Sequence, residues 1–267
     1  MKLPIYQIDA FASAVFAGNA AAVCPLERWL PEATMQSIAA ENNLAETAFF
    51  VPRASTTGNA AGVEYDLRWF TPEAEIDLCG HATLASGHVV FTKLAPGRQS
   101  VTFHSKSGPL TVRREGEMLA LDFPSRPPTR CDAPAGLVEA LGVTPAEVWS
   151  SRDLMAVLDS EHAVRELTPS FDRIRALDLF GLIVTAPGRE VDFVSRFFAP
   201  SIGVPEDPVT GSAHCTLVPY WAKRLGKARL RARQVSVRGG ELLCEDRGER
   251  VSMAGRAVQY LEGVIEV

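Results

Sequence analysis

A run of residues in the first half of this chain returns, in the same order, in the second. Arg68-Trp69-Phe70-Thr71-Pro72 is echoed 128 residues later by Arg196-Phe197-Phe198-Ala199-Pro200. Asp77-x-x-Gly80-x-Ala82 is echoed by Asp207-x-x-x-Gly211-x-Ala213, with the glycines 131 apart, and Gly108 and Gly116 by Gly240 and Gly248, each pair 132 apart. Glycine and proline punctuate every fold, so no single match is informative. Their collinearity and slowly drifting offset are what a duplication followed by small insertions leaves behind. A duplicated chain builds two similar half-folds, and residues 124–134 mark the junction: four prolines there remove the N–H groups that a strand or helix needs. The expected division is 1–124 and 125–267, with the active-site cleft between the halves.

Each half reads as strand, helix, strands, a second helix and a hairpin. Residues 5–11, 20–24, 47–51 and 65–70 have strand character, and 32–41 carries Met35, Ile38 and Ala39 at helical spacing behind Pro31. Residues 82–91 and their counterpart 213–222 are apolar nearly all round, which is the pattern of a buried helix. The expected fold class is therefore α/β (α+β): two pseudo-symmetric halves, each a barrel-like mixed sheet wrapped around a central helix. That helix opens its N-terminus toward the loop before it.

A net charge of −5 argues against a nucleic-acid partner, which needs a strong basic patch. The basic run at 223–233 has no interleaved aromatic residue and reads as a solvated face. No apolar run approaches membrane-spanning length, and the N-terminus looks like a first strand, so a cytoplasmic location and no membrane partner are expected. Five scattered cysteines (Cys24, Cys79, Cys131, Cys215, Cys244) form neither a disulfide framework nor a zinc pattern. Cys79, His81 and His88 lack metal-ligand spacing, so no metal is expected. The lack of Gly-x-Gly-x-x-Gly or a Walker loop gives a nucleotide or flavin cofactor no support.

Two buried helices that open toward a cleft present unpaired N–H groups and positive dipole ends, which suit a carboxylate. Gly80-His81 and Gly211-Ser212 lie at those ends. Glu46 has apolar neighbours, Leu44, Ala45, Ala48, Phe49 and Phe50, that could desolvate its carboxyl toward an acid/base role. From composition alone a solvated corner glutamate is the stronger reading. Asp207, ahead of Pro208, either faces the same cleft or caps a turn. His81 could bind substrate, carry a proton or bond within its loop.

Four groups of motifs in register over the whole chain resemble the phenazine-biosynthesis PhzF-like family. They are Asp9-Ala-Phe11 with Gly18-Asn19-Ala-Ala-Ala-Val23; Asn43-Leu-Ala-Glu-Thr-Ala-Phe-Phe50; Arg68-Trp-Phe-Thr-Pro72 with Leu78-Cys-Gly-His-Ala-Thr83; and Glu206-Asp-Pro-Val-Thr-Gly-Ser-Ala-His214. The resemblance implies the fold of diaminopimelate epimerase, commonly a homodimer, and a cofactor-independent isomerase acting on a small carboxylated substrate such as a dihydro-hydroxyanthranilate. It makes Glu46 the acid/base. By the same carry-over His81 and Asp207 assist proton transfer or hold the substrate, Gly80, Gly211 and Ser212 cradle its carboxylate, and Asn19 lines the pocket.

Two other readings compete. A two-thiol epimerase needs a cysteine before each glycine; Cys79 precedes Gly80, but Thr210 precedes Gly211, and Cys215 falls inside the predicted helix. A noncatalytic ligand- or partner-binding protein could keep the cleft without turnover, though it has no evident need for Glu46, His81 and Asp207 together.

Overall fold

The computed structural model describes residues 1–53 and 63–267. The chain is α/β and divides into two compact units, Met1–Asp122 with Ala254–Val267, and Phe123–Met253. The first contains β1 (Lys2–Ala10), β2 (Asn19–Pro25), α1 (Glu32–Asn42), β3 (Glu46–Pro52), β4 (Val63–Phe70), β5 (Glu75–Ile76), α2 (Gly80–Val89), β6 (Ser100–Ser105), β7 (Gly108–Glu115) and most of β8 (Met118–Pro124). The second runs through β9 (Thr129–Arg130), α3 (Leu137–Leu141), β10 (Glu147–Ser150), β11 (Leu154–Val157), α4 (Glu161–Arg165), α5 (Phe171–Arg175), β12 (Leu182–Pro187), β13 (Phe193–Ala199), β14 (Val204–Asp207), α6 (Gly211–Leu225), β15 (Arg229–Gln234), β16 (Gly240–Asp246) and most of β17 (Arg250–Gly255). The last strand, β18 (Ala257–Glu266), returns to the first unit and pairs with β1 along its length, so a cut at residue 124 does not describe the packing. The proline-rich junction also differs from expectation: Thr129–Arg130 forms a short strand against β10.

The duplication is visible in the ladders. In the first unit β1–β2 is antiparallel, β2–β3 parallel, β3–β4 and β4–β5 antiparallel, β4–β6 parallel and β6–β7 antiparallel. In the second the same sequence of pairings runs β10–β11, β11–β12, β12–β13, β13–β14, β13–β15 and β15–β16. Side chains on one sheet face form an outer core in each unit, and they correspond by position: Ala22 and Leu154, Cys24 and Ala156, Phe49 and Val184, Phe70 and Phe198. The opposite face of each sheet meets the central helix, α2 or α6, whose residues are buried on nearly every side. Both helices start earlier than their apolar runs suggest, which brings Gly80, His81, Gly211 and Ser212 into their first turns.

Pro219 lies inside α6 and donates no hydrogen bond, which frees the carbonyl of Cys215. The N–H of Arg126, in the junction, takes that carbonyl at 2.9 Å, so the helix defect anchors the linker. Four of the six basic residues at 223–233 are paired in place: Arg224 with Glu147, Lys227 with Asp192, Arg229 with Glu245 and Arg233 with Glu241. Among the described residues no helix is long and apolar enough to cross a membrane.

The echoed arginines do the same job twice. Arg68 on β4 grips Glu75 on β5 through two hydrogen bonds of 2.7 Å, and Arg196 on β13 grips Glu206 on β14 at 2.7 and 2.9 Å. Each fork ties down the short strand that feeds the loop before a central helix. The bonds from Arg68 hold the Glu75 carboxyl down at about 2, against opposing burial and with help from Lys106. A depressed carboxylate stabilises the fold above its unfolded value of 4.5, and that stability is lost as pH falls toward 2. The shift corresponds to about 3 kcal/mol. Glu75→Gln is therefore expected to lose stability of that order at pH 7 and to flatten the stability curve between pH 4.5 and 2, as measured by urea unfolding. A variant curve parallel to wild type across that interval would contradict this.

Candidate active site

The turn that delivers Glu46 is built by Asn43. This residue ends α1 in the left-handed region, φ 49°, while its N–H bonds the carbonyl of Ala39. Asparagine tolerates that conformation better than most residues. The side chain of Asn42 donates to Thr47, and β3 begins at Glu46, between parallel β2 and antiparallel β4. Asn19 opens β2 directly after Gly18, whose φ is +66° and whose missing Cβ would stand 2.2 Å from the carbonyl oxygen of Ala10. A side chain at 18 would displace the start of β2 and Asn19 with it.

Asn19, Glu46, Cys79, Gly80 and His81 meet at the N-terminus of α2. Cys79 is the residue before the first helical turn, and its side chain makes no capping hydrogen bond. His81 Nε2 lies 2.9 Å from Glu46 Oε2, with side chains 5% and 14% exposed. The contact has the distance of an ion pair without the alignment of a hydrogen bond, so both atoms lack a hydrogen-bond partner among the described residues. On the other side of the ring, Nδ1 lies 3.2 Å from Asn19 Nδ2 and 3.6 Å from Cys79 Sγ. In the neutral ring this arrangement leaves Nδ1 to accept from Asn19 and puts the proton on Nε2, facing Glu46.

The electrostatics follow from burial. Burial, reinforced by the nearby Glu46 charge, pushes the Cys79 thiol up to about 11. Burial also works against a charged His81, but Cys79 and Glu46 outweigh it and the net direction is well above the usual histidine range. With the thiol protonated at neutral pH, the Glu46 carboxylate is the charge that favours the imidazolium. A two-thiol mechanism needs the opposite, a thiol pulled down by the helix end. Cys215 is further from that role: it is buried inside α6 and pushed up to about 12 by burial.

Glu46, Cys79 and His81 each offer a donor atom within 4.8 Å of the others, enough for three ligands to converge on an ion. The 2.9 Å between Glu46 and His81 is shorter than the ~3.3 Å that two ligands of a tetrahedral ion keep at ordinary bond lengths. The pair has the spacing of proton partners.

In the second unit Asp207, Thr210, Gly211 and Ser212 gather at the N-terminus of α6. Thr210 donates to Asp207 Oδ2 at 2.5 Å, and the amide of Gln234 donates to the Asp207 carbonyl at 2.7 Å and to the Thr210 hydroxyl at 3.1 Å. The Asp207 carboxylate thus anchors the loop that presents Gly211 and Ser212. Gln234 was not singled out from sequence, because it reaches this loop only through the parallel pairing of β15 with β13. His214 lies one turn in, fully buried, with Nδ1 2.8 Å from the Thr210 carbonyl; burial pushes it down to about 4, so it is neutral. Its repeat counterpart Thr83 makes the same bond to the Cys79 carbonyl at 2.5 Å.

A family model described as phenazine biosynthesis-like protein, PhzC-PhzF, matches residues 8–263. The chain belongs to the PhzC-PhzF family. A Pseudomonas aeruginosa relative, described as an uncharacterized isomerase, is 51% identical over the full length of both chains. The crystal structure of a PhzF-family phenazine biosynthesis protein from Enterococcus faecalis covers all of both chains with a TM-score of 0.94 at 49% identity. A hydroxyproline epimerase from Agrobacterium vitis shares the fold, with a TM-score of 0.61 over 99% of this chain and 92% of its own, at 8% identity. Family membership and relatives described as isomerases support an isomerase function.

Proposed function

We propose that this chain is a cofactor-independent isomerase that shifts a proton on a small carboxylated substrate. The contact of Glu46 with His81 at the start of α2 carries the proposal. A base there breaks a C–H bond of the substrate, holds the proton as its own O–H, and returns it to a different carbon. His81 faces the same oxygen and steadies the carboxylate between transfers. The first N–H groups of α2, at Gly80 and His81, have no partner within the helix and suit a carboxylate. In the second unit the N–H groups of Gly211 and Ser212 have the same character, and Asp207 is proposed to hold the loop that presents them. Asn19 is proposed to act at this site through its contact with His81 Nδ1.

The test is solvent-deuterium incorporation by mass spectrometry into a panel of small amino and hydroxy carboxylates, with wild type, Glu46→Gln and Cys79→Ser. Incorporation that Cys79→Ser retains within about threefold, and that Glu46→Gln loses, is the expected result. Loss confined to Cys79→Ser would transfer the chemistry to the thiol. Absence of incorporation from every compound would favour a binding protein. Asp207→Ala, which removes the acceptor that anchors the loop before α6, is expected to raise KM more than it lowers kcat.

A further inference from the structure

The repeat gives each residue that faces a central helix a counterpart in the other unit. Thr47 pairs with Phe70 and Leu182 with Phe198, and the two phenylalanines are repeat partners, so Gly181 is the counterpart of Glu46. The neighbouring parallel ladders extend the match. Ala21 lies beside Glu46 and Leu154 beside Leu182, so Asp153 is the counterpart of Ala21. A carboxylate stands on this face in both units, but in the second it has moved one strand over and a glycine has taken its former place.

The two positions in the second unit are complementary. A Cβ on Gly181 would stand 2.9 Å from Asp153 Oδ1 and 2.4 Å from Phe197 Cζ, so the Asp153 carboxyl fills the space in which a side chain at 181 would begin. Asp153 is 2% exposed, and its Oδ1 has no hydrogen-bond partner among the described residues, as is true of Glu46 Oε2. Burial pushes its carboxyl up, against the pull of Arg152 and Arg126. Arg126 Nη1 is itself buried without a hydrogen-bond partner. A buried acceptor without a partner is costly, and an apolar residue of similar size would avoid the cost. The arrangement makes sense where a ligand supplies the missing donor.

We infer that Asp153 is a specificity-determining residue that accepts a hydrogen bond from an amine or hydroxyl group of a small carboxylated ligand bound at the second unit. The inference rests on the isomerase reading only for the substrate's carboxylate. It selects ligands that carry an amine or hydroxyl beside the acid over otherwise identical acids that lack one. An acceptor left unpaired by the wrong ligand is what produces such discrimination.

Anthranilate and benzoate differ by one amine and serve as the probes. Each is titrated by calorimetry into wild type, Asp153→Ala, Asp153→Leu and Glu46→Gln. Wild type is expected to bind anthranilate about tenfold to a hundredfold more tightly. Asp153→Ala is expected to bind the two within about twofold, with benzoate affinity unchanged. Asp153→Leu, similar in size and without an acceptor, reads the same loss of discrimination if the alanine variant does not fold. Equal discrimination in wild type and the Asp153 variants overturns the inference, as does a wild type that does not distinguish the two acids. Unaltered discrimination together with Glu46-dependent deuterium exchange sinks the role of Asp153 alone. Exchange that survives Glu46→Gln sinks the catalytic reading and leaves the comparison of the two acids standing.

Discussion

Glu46→Gln is expected to lower isomerisation by about 10²–10⁴-fold, with KM changed little. The amide keeps the length and shape of the side chain and still places an oxygen or nitrogen beside His81 Nε2, so β3 and the first turn of α2 need not move. What is lost is a group that can hold a proton between two carbons. His81 is a poor replacement because its Nδ1 side is occupied by Asn19 and Cys79. Glu46→Asp withdraws the carboxylate by about one C–C bond, ~1.5 Å, and should recover part of the rate, since proton transfer depends steeply on reach. Deuterium incorporation at saturating substrate measures the effect. Activity within tenfold of wild type in Glu46→Gln would remove Glu46 from the chemistry.

The largest effect on stability is expected at Trp221. Its ring is fully buried in α6, stacks on Phe193 with ring centroids 5.7 Å apart, and meets Tyr220 edge-on at 5.3 Å. Its N–H donates to Thr185 Oγ1 at 3.0 Å, and that hydroxyl donates onward to the Val194 carbonyl at 2.7 Å. Trp221→Ala removes the largest side chain from the contact between the central helix and its sheet, and also takes away a buried donor. A loss of about 3–5 kcal/mol is expected, near the upper end because strands β12 and β13 cannot close over the space. Urea unfolding followed by circular dichroism gives the value. A loss below about 1 kcal/mol would mean that α6 is held by something other than this packing.

Much of this was legible in the sequence, for reasons that differ from residue to residue. The repeat was readable because Arg68 and Arg196 serve the same purpose in each unit, a fork that holds a short strand, and so keep a fixed place relative to Pro72 and Pro200. The central helices were readable because they are apolar all round. Their first turns were not, because Gly80 and Gly211 look like loop residues until the helix above them is in place. Glu46 read as a possible corner residue because its partner His81 is 35 positions away and joins it only through the packing of α2 on β3. The exchange of Glu46 for Gly181 and Ala21 for Asp153 left no mark in a motif search. It depends on which residues face each other across two ladders, and only register reveals it.

The strand Ala257–Glu266 carries a consequence for how the chain is made. The first unit's sheet lacks its outermost partner for β1 until those residues exist, and they follow the whole of the second unit in the chain. During synthesis the unit that holds Glu46 therefore waits with one long strand edge open, while the intervening unit has all its own strands in hand. Folding from the N-terminus outward, the usual order for tandem domains, is closed to this topology. The unit that holds Glu46 is completed only once Ala257–Glu266 has been made, so a chain cut short before that strand would carry a whole second unit and a first unit exposed along β1.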